Sequence, residues 1–104
     1  MIERRPAKRF ANALPLFFLN SGKEYSGVSL DFSVSGLFIL TRELFSPGTS
    51  LKMRLEVSEK ETIHLRGVVV RTIKTDDINV KNGMGIKLDE VPYKYHQLLE
   101  SLKE

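Results

Sequence analysis

Two short polar stretches of this sequence contain the residues that could bind a charged ligand. The first places four cations within six residues: Arg4, Arg5, Lys8 and Arg9. The second is Asp31-Phe32-Ser33-Val34-Ser35-Gly36. A guanidinium group stays charged at physiological pH, and its planar donor fork fits both a phosphate and the O6/N7 edge of guanine. The first stretch therefore predicts an anion site, and the second indicates which anion it would bind.

The second stretch supplies the hydrogen-bond acceptor that the first lacks. Asp31 and Ser33 are two apart on a predicted strand, so their side chains should share one face. A carboxylate can accept from the N1–H and N2–H₂ groups of guanine, and the Ser33 hydroxyl can serve a phosphate or a base edge. Gly36 has no side chain, so a ring or a phosphate could approach its backbone. Forks at Arg5 and Arg9 combined with Asp31 thus favour a guanine nucleotide over a plain anion.

The composition excludes several other kinds of protein. The chain has 104 residues, 41% hydrophobic and 28% charged, which predicts one compact domain. It contains no Cys, so thiolate catalysis and disulfides are excluded, and a cytoplasmic location is expected. No apolar run is long enough to span a membrane, and a formal charge of +3 is too small to indicate a nucleic-acid binder by itself. With no nucleophile–base pair and no metal-ligand cluster, the sequence predicts no enzyme, no metal site and no cofactor.

Hydrophobic patterning predicts the elements that position the two stretches. A basic arm over residues 1–12 precedes a domain over 13–104, in which turn signals separate six apolar runs. The tail has helical spacing, with Tyr95, Leu98, Leu99 and Leu102 on one side, and predicts a helix over 92–103. This order favours a mainly β fold, a small six-stranded antiparallel barrel with a C-terminal α-helix. The predicted strands are 13–20, 24–33, 37–41, 51–57, 62–73 and 83–88.

Alternation within the strands predicts which side chains face the core. In residues 24–33, Val28, Leu30 and Phe32 should face inward, which leaves Asp31 and Ser33 outside. Gly67, in the middle of 62–73, is a candidate β-bulge. The other positions expected in the core are Leu51, Met53, Leu55, Val57, Phe17, Phe18 and Phe38.

In this order and spacing, the two stretches resemble the motifs of the PilZ domain, a bacterial receptor module for cyclic di-GMP. Arg5-Pro6-Ala7-Lys8-Arg9 matches the family pattern Arg-x-x-x-Arg, and residues 31–36 match Asp/Asn-x-Ser-x-x-Gly. Leu88 departs from the family, which often has an aromatic residue there. The resemblance implies a PilZ-like split barrel that binds cyclic di-GMP as a ligand and signals to a downstream protein. It implies these binding residues: Arg4, Arg5, Arg9, Asp31, Ser33 and Gly36.

Two alternatives to a cyclic di-GMP receptor stay open at the level of sequence. A PilZ-like domain could act only as a protein adaptor, without the ligand. A small basic barrel could also bind single-stranded nucleic acid through aromatic side chains on its outer face. Nucleic acid is the less favoured partner, because Asp31 would repel a phosphate backbone and most aromatics are predicted to face inward. In the receptor hypothesis, ligand binding orders the arginine arm, and a partner protein recognises the changed surface.

Overall fold

The computed structural model describes residues 13–76 and 82–102 of the chain. The predicted arm, with Arg4, Arg5 and Arg9, lies outside the described residues, as do residues 77–81 of the loop before the last strand. In chain order the elements are β1 (Leu14–Asn20), β2 (Lys23–Ser33), β3 (Gly36–Leu40), β4 (Ser50–Ser58), β5 (Glu61–Ile73), β6 (Gly83–Leu88) and α1 (Tyr93–Leu102).

The six strands form one closed antiparallel barrel in the order β1-β2-β3-β6-β5-β4. Hairpins join β1 to β2, β2 to β3 and β4 to β5, whereas β1–β4 and β3–β6 pair across long stretches of sequence. The barrel closes because β1 pairs with β4 on its other side. The predicted fold class, a six-stranded antiparallel barrel with a C-terminal helix, is confirmed.

The barrel interior is an apolar core to which every strand contributes. Leu51, Met53 and Leu55 of β4 are buried as their alternation predicts, and Val57 is partly buried against the same core. The rest of the buried apolar set comes from the other strands and the helix: Leu16, Phe18, Phe32, Leu37, Ile39, Ile63, Leu65, Val69, Met84, Ile86, Leu88, Tyr95, Leu98 and Leu99.

Strand β2 differs from its predicted facing at two positions. Phe32 is buried as expected, but Val28 is 40% exposed and Leu30 is only partly buried, whereas Ser29 is fully buried. The cause is a β-bulge between Leu30 and Ser33, which reverses the alternation partway along the strand. The Ser29 hydroxyl donates a 2.8 Å hydrogen bond to the Leu14 carbonyl oxygen, so its burial leaves no unsatisfied polar group. The prediction that Val28 and Leu30 face the core is therefore wrong.

Strand β5 contains a bulge, but not at Gly67. The irregularity lies between Val69 and Arg71, and Gly67 stays in register with β4 and β6. A Cβ at Gly67 would come within 2.7 Å of the Lys87 carbonyl oxygen, so this glycine permits close strand packing. Because of the bulge, Val70 and Arg71 are both exposed, although they are consecutive.

Two of the four phenylalanines expected in the core lie on the outer wall instead. Phe18 and Phe32 are buried, but Phe17 and Phe38 are only partly buried. An arginine covers each outer ring: Cζ of Arg54 is 4.6 Å from the Phe17 centroid, and Cζ of Arg71 is 5.9 Å from the Phe38 centroid. Each outer ring is thus partly buried and partly covered by an arginine.

Helix α1 packs on the barrel core through Tyr95, Leu98 and Leu99, as its spacing predicts. Leu102 is partly buried against the same core. The Pro92 carbonyl oxygen accepts hydrogen bonds from the Tyr95 and His96 amides, so the helix begins directly after that proline. No helix within residues 13–76 and 82–102 has the length and apolar character needed to cross a bilayer.

Candidate functional site

A pocket of about 190 Å³ on the outer wall of the barrel brings the second polar stretch together with charged residues from other strands. Asp31, Ser33 and Gly36 all line this pocket. The structure therefore places three of the six predicted binding residues at one location, and their role in binding stays a prediction. The remaining lining residues are Ser35, Leu37, Phe38, Val70, Arg71, Gly85, Ile86 and Lys87.

Strand register arranges the pocket wall as two rows across neighbouring strands. In one row, Phe38 of β3, Gly85 of β6 and Arg71 of β5 are opposite one another. In the next row, Gly36 of β3 is opposite Lys87 of β6. Because Gly85 has no side chain, Arg71 approaches Phe38 across it, with its Cζ 5.9 Å from the Phe38 ring centroid. Gly85 in the first row and Gly36 in the second have no side chains, so the pocket is a shallow trough between the side chains of Phe38, Arg71 and Lys87.

Asp31 is placed by the bulge in β2, where its φ angle is +53°. This left-handed conformation is costly for most residues, but a short polar side chain such as that of Asp or Asn tolerates it. The side chain is partly exposed, and no residue in the described part of the chain donates a hydrogen bond to its carboxylate. Its oxygens are therefore available to accept from a ligand.

A tyrosine of helix α1 hydrogen-bonds to the turn that carries Ser33 and Gly36. The hydroxyl of Tyr95 is directed at two carbonyl oxygens, those of Ser33 at 2.8 Å and Gly36 at 3.0 Å. Tyr95 is fully buried, and burial raises the pKa of its phenol. The Ser33 hydroxyl makes a long, 3.3 Å hydrogen bond to the Gly36 carbonyl oxygen and keeps its own lone pairs free to accept.

Gly36 has a structural role that the sequence did not reveal. A Cβ at this position would collide with the Ile86 carbonyl oxygen of β6. The glycine is therefore required for close pairing of β3 with β6, whether or not a ligand approaches it. Because Lys87 follows Ile86 directly, the same close pairing brings that lysine to the pocket.

The pocket residues that sequence reasoning missed include its one aromatic side chain, Phe38, and its two cations, Arg71 and Lys87. Simple alternation from the buried Val69 would turn Arg71 inward, and only the bulge at Val70 directs it outward. Lys87 had a usable signal, because it lies between Ile86 and Leu88, which are both buried, and is itself exposed. The pocket thus combines the carboxylate of Asp31 with two cations, the charge pattern that suits a ligand bearing both anionic and hydrogen-bond donor groups.

A larger cavity of about 390 Å³ lies elsewhere on the barrel, next to the β1–β2 turn. Lys52, Arg66 and Asp89 are its charged residues, and none of the predicted site residues lines it. The smaller pocket is the better candidate, because it alone among these two contains the motif residues. In the part of the chain described, no three His, Cys, Asp or Glu side chains are grouped closely enough to hold a metal ion.

Fold and pocket together define a class: a small antiparallel barrel with one docked helix and a charged ligand-sized trough on its outer wall. Comparison with models of protein families identifies the family to which this barrel belongs. The chain belongs to the PilZ domain family, whose model matches residues 3–103. No curated protein matched the chain.

Solved structures of PilZ proteins share the fold. The inhibitor of motility MotI from Bacillus subtilis has a TM-score of 0.78 at 21% identity, over 97% of this chain and 50% of that one. The PilZ domain of YcgR from Escherichia coli, solved with c-di-GMP, has a TM-score of 0.70 at 12% identity, over 94% of this chain and 87% of that one. MrkH from K. pneumonia, in its c-di-GMP complex, has a TM-score of 0.72 at 20% identity, over 97% and 51%. The chain thus spans about half the length of MotI and MrkH.

Proposed function

We propose that this chain is a cyclic di-GMP receptor domain whose ligand binds in the trough formed by β2, β3, β6 and β5. The observation that carries the proposal is the convergence of Asp31, Ser33 and Gly36 on one pocket that also contains cations. Membership in the PilZ family supports it, as do the c-di-GMP complexes of YcgR and MrkH, which have the same fold.

The pocket and the arm divide the recognition of the ligand between them. The Asp31 carboxylate accepts from the N1–H and N2–H₂ edge of a guanine. The forks of Arg5 and Arg9 bind the phosphates and the O6/N7 edge, and Arg4 adds a third guanidinium. Asp31 discriminates against bare phosphate and nucleic-acid backbone, because a carboxylate in the pocket repels them.

Signalling follows from the ordering of the arm over the trough. Neutralisation of the arginine charges by the ligand allows the arm to settle against the Asp31 and Ser33 side of the barrel. The surface formed by the arm and the ligand then differs from the surface of the free protein, and a partner protein recognises that difference. In this function the chain binds and signals and carries out no reaction.

Calorimetric titration with cyclic di-GMP tests the proposal directly. Replacing Arg5 or Arg9 by Ala should weaken binding by on the order of 2–4 kcal/mol, the range for truncating one member of a hydrogen-bonded charged pair. Lys8→Ala is the matched control, because it removes one cation from the same arm without touching the motif. Thermal unfolding of all variants should coincide with that of the wild type.

The outcomes separate the proposal from its alternatives. A wild-type protein that fails to bind cyclic di-GMP would overturn the receptor function and leave the adaptor function. Equal losses in Lys8→Ala and Arg9→Ala would show that only net charge matters. Amide resonances offer an independent check: residues 31–36 should shift on addition of cyclic di-GMP, and shifts confined to the cavity at the β1–β2 turn would place the site there instead.

A further inference from the structure

Two cations are opposite each other on the outer wall of the barrel, away from the trough. Lys52 of β4 is the register partner of Arg66 of β5, and both side chains are exposed. Like charges in this cross-strand position destabilise a sheet. No carboxylate in residues 13–76 or 82–102 forms an ion pair with either cation. The barrel thus concentrates positive charge at a place where folding gains nothing from it.

Arg54 shows that the same wall neutralises a cation elsewhere. It follows Lys52 by two residues on β4, so the two side chains share the outer face. Its guanidinium is paired with Glu24 at 2.8 Å and with Glu56 at 3.1 Å. Lys52 and Arg66 have no such partners among the described residues, so a negative group from outside the described chain would complete them.

The two cations lie between two cavities. The larger, of about 390 Å³, extends to Leu19 and Asn20 beside the β1–β2 turn. The smaller, of about 310 Å³, extends to Pro92 in front of α1. Lys52 and Arg66 line both cavities, so the two depressions form one groove with the cations at its middle. None of the residues that line the trough lines this groove, so it is a separate surface.

The residues around the cations indicate what the groove would bind. Leu19 is opposite Lys52 on β1 and is 38% exposed, so it offers an apolar contact next to the charge. Asp89 and Glu90 line the two ends and would repel a chain of phosphates. Among the described residues, no Phe, Tyr or Trp lines either cavity, so a nucleic-acid base has no ring on which to stack. The groove therefore suits an acidic peptide with an apolar side chain better than it suits nucleic acid.

We propose that this groove docks an extended acidic segment of a partner protein. One carboxylate of the segment lies between Lys52 and Arg66, and an apolar side chain two residues away covers Leu19. Neighbouring strands are about 4.8 Å apart, so the midpoint between the cations is about 7 Å from Leu19, which matches the spacing of residues i and i+2 in an extended peptide. The inference goes beyond the proposed function, because this docking needs no cyclic di-GMP.

Amide NMR titration of the full chain with the capped heptapeptide GSLSEGS tests the docking site. Shifts should be confined to residues 19–22, 50–53, 64–66 and 89–90, and they should be the same with and without cyclic di-GMP. Lys52→Gln and Arg66→Gln should each reduce the shifts, at a fixed subsaturating peptide concentration, to about one third, as expected for the loss of one exposed ion pair. Lys60→Gln is the matched control, because Lys60 is an exposed lysine that lines neither cavity, and its shifts should equal those of the wild type.

Two control peptides test the chemistry of the occupant. GSLSQGS replaces the carboxylate by an amide and should cause much smaller shifts, because the cations then have no charge to bind. GSLESGS has the same composition as the probe, but its Leu and Glu are adjacent and lie on opposite faces of an extended chain. It should also shift the groove residues less than GSLSEGS does, because its two side chains cannot reach Leu19 and the cations together.

The other outcomes would overturn the proposal. Absence of shifts at the groove in the wild type, equal shifts with GSLSQGS, or unchanged shifts in both Lys52→Gln and Arg66→Gln would each contradict an acidic docking segment. A ten-nucleotide oligo-dT that shifts the same residues at a lower concentration than the peptide would show a nucleic-acid surface instead. Inorganic phosphate that reproduces the peptide shifts would show a plain anion site.

The receptor function is tested separately from the docking groove. The double variant of Lys52→Gln and Arg66→Gln should bind cyclic di-GMP with wild-type affinity in a calorimetric titration, because neither residue lines the trough. A wild-type protein that binds the peptide but not cyclic di-GMP would overturn the receptor function alone. One that binds cyclic di-GMP but not the peptide would overturn the docking groove alone.

Discussion

At the scale of single residues, Asp31 meets two demands that few side chains can meet together. Its backbone has a φ angle of +53° at the bulge of β2, and its carboxylate faces the pocket without a donor from the described residues. The first demand favours Gly, Asn or Asp, and the second favours a carboxylate. The Asp or Asn of the family pattern therefore suits the left-handed backbone at this position, whatever its role in binding.

Substitutions of Asp31 should separate these two demands. Asp31→Asn retains a side chain that tolerates the left-handed conformation, so the free energy of unfolding should stay at the wild-type value. Its affinity for cyclic di-GMP should fall, because an amide accepts at only one of its two heteroatoms. Asp31→Ala should lose affinity and also about 1 kcal/mol of stability, because alanine adopts the left-handed conformation less readily than Asp or Asn does. Urea unfolding combined with calorimetry measures both effects, and equal stability of the Asn and Ala variants would contradict the assigned strain.

Tyr95 is the residue that joins the helix to the binding turn. Its hydroxyl is directed at the Ser33 and Gly36 carbonyl oxygens, and it is fully buried. Tyr95→Phe leaves those carbonyls without this donor, and it should cost about 1–2 kcal/mol of unfolding free energy at pH 7. Because the turn carries Ser33, cyclic di-GMP should also bind more weakly to the variant. A variant with wild-type stability would show that water replaces the hydroxyl.

The pH dependence of stability gives Tyr95 a separate signature. Burial raises its pKa above the ordinary value of about 10, so the unfolded chain ionises first as the pH rises. The stabilisation by the protonated phenol is complete below about pH 10 and declines above it, by up to about 1.4 kcal/mol for each pH unit. Tyr95→Phe has no such loss, so the stability curves of variant and wild type should converge between pH 10 and 11. Parallel curves would contradict the raised pKa.

At the scale of elements, Gly36 and Gly85 lie in neighbouring strands, but a side chain at each position would meet a different kind of neighbour. Gly36 in β3 is close to a backbone carbonyl of β6, which cannot move without opening the strand pair. Gly85 in β6 is close to the side chain of Arg71, which can rotate away. The two strands therefore need one glycine for pairing and the other for the pocket.

Gly36→Ala should act mainly on stability, whereas Gly85→Ala should act mainly on affinity for cyclic di-GMP. Gly36→Ala should lower the free energy of unfolding by about 2–3 kcal/mol, because overpacking against a fixed backbone is costly. Gly85→Ala should cost less than about 1 kcal/mol and act mainly on affinity. Thermal unfolding of the two variants side by side provides the comparison. Equal destabilisation would show that Arg71 is held as rigidly as the backbone of β6.

The elements also show what the sequence could and could not predict. All six strands and the helix were predicted within a few residues of their observed ends, because apolar periodicity and turn residues are local signals. The bulge in β2 was not predicted, and the bulge in β5 was predicted at Gly67 rather than between Val69 and Arg71, because the position of an extra residue depends on pairing with a neighbouring strand. As a result, Val28 and Leu30 were assigned to the wrong side, and Arg71 was not recognised as a pocket residue.

At the scale of the whole molecule, the candidate site depends on pairings that no local pattern reveals. The motif stretch on β2 and β3 was visible in the sequence, but its neighbours Lys87 and Arg71 are brought to it by the β3–β6 and β6–β5 pairs. The sequence thus identified the acceptor side of the trough and missed the cations opposite. Apolar periodicity and turn residues predicted the order of elements, whereas the register that places Arg71 opposite Gly85 depends on pairing between strands and is not visible in the local sequence.

Closure of the barrel limits how a partner protein can recognise this domain. Within the described residues every strand pairs on both sides, so the sheet presents no open edge to which a foreign peptide could add a strand. In the proposed function, a partner protein would therefore contact side chains, such as those around the trough, rather than add a strand to the sheet. Val70 lines the trough and Val34 lies between Ser33 and Ser35, which also line it; these two valines are 52% and 51% exposed, so substitutions there would change the surface around the trough with no change to the strand pairing.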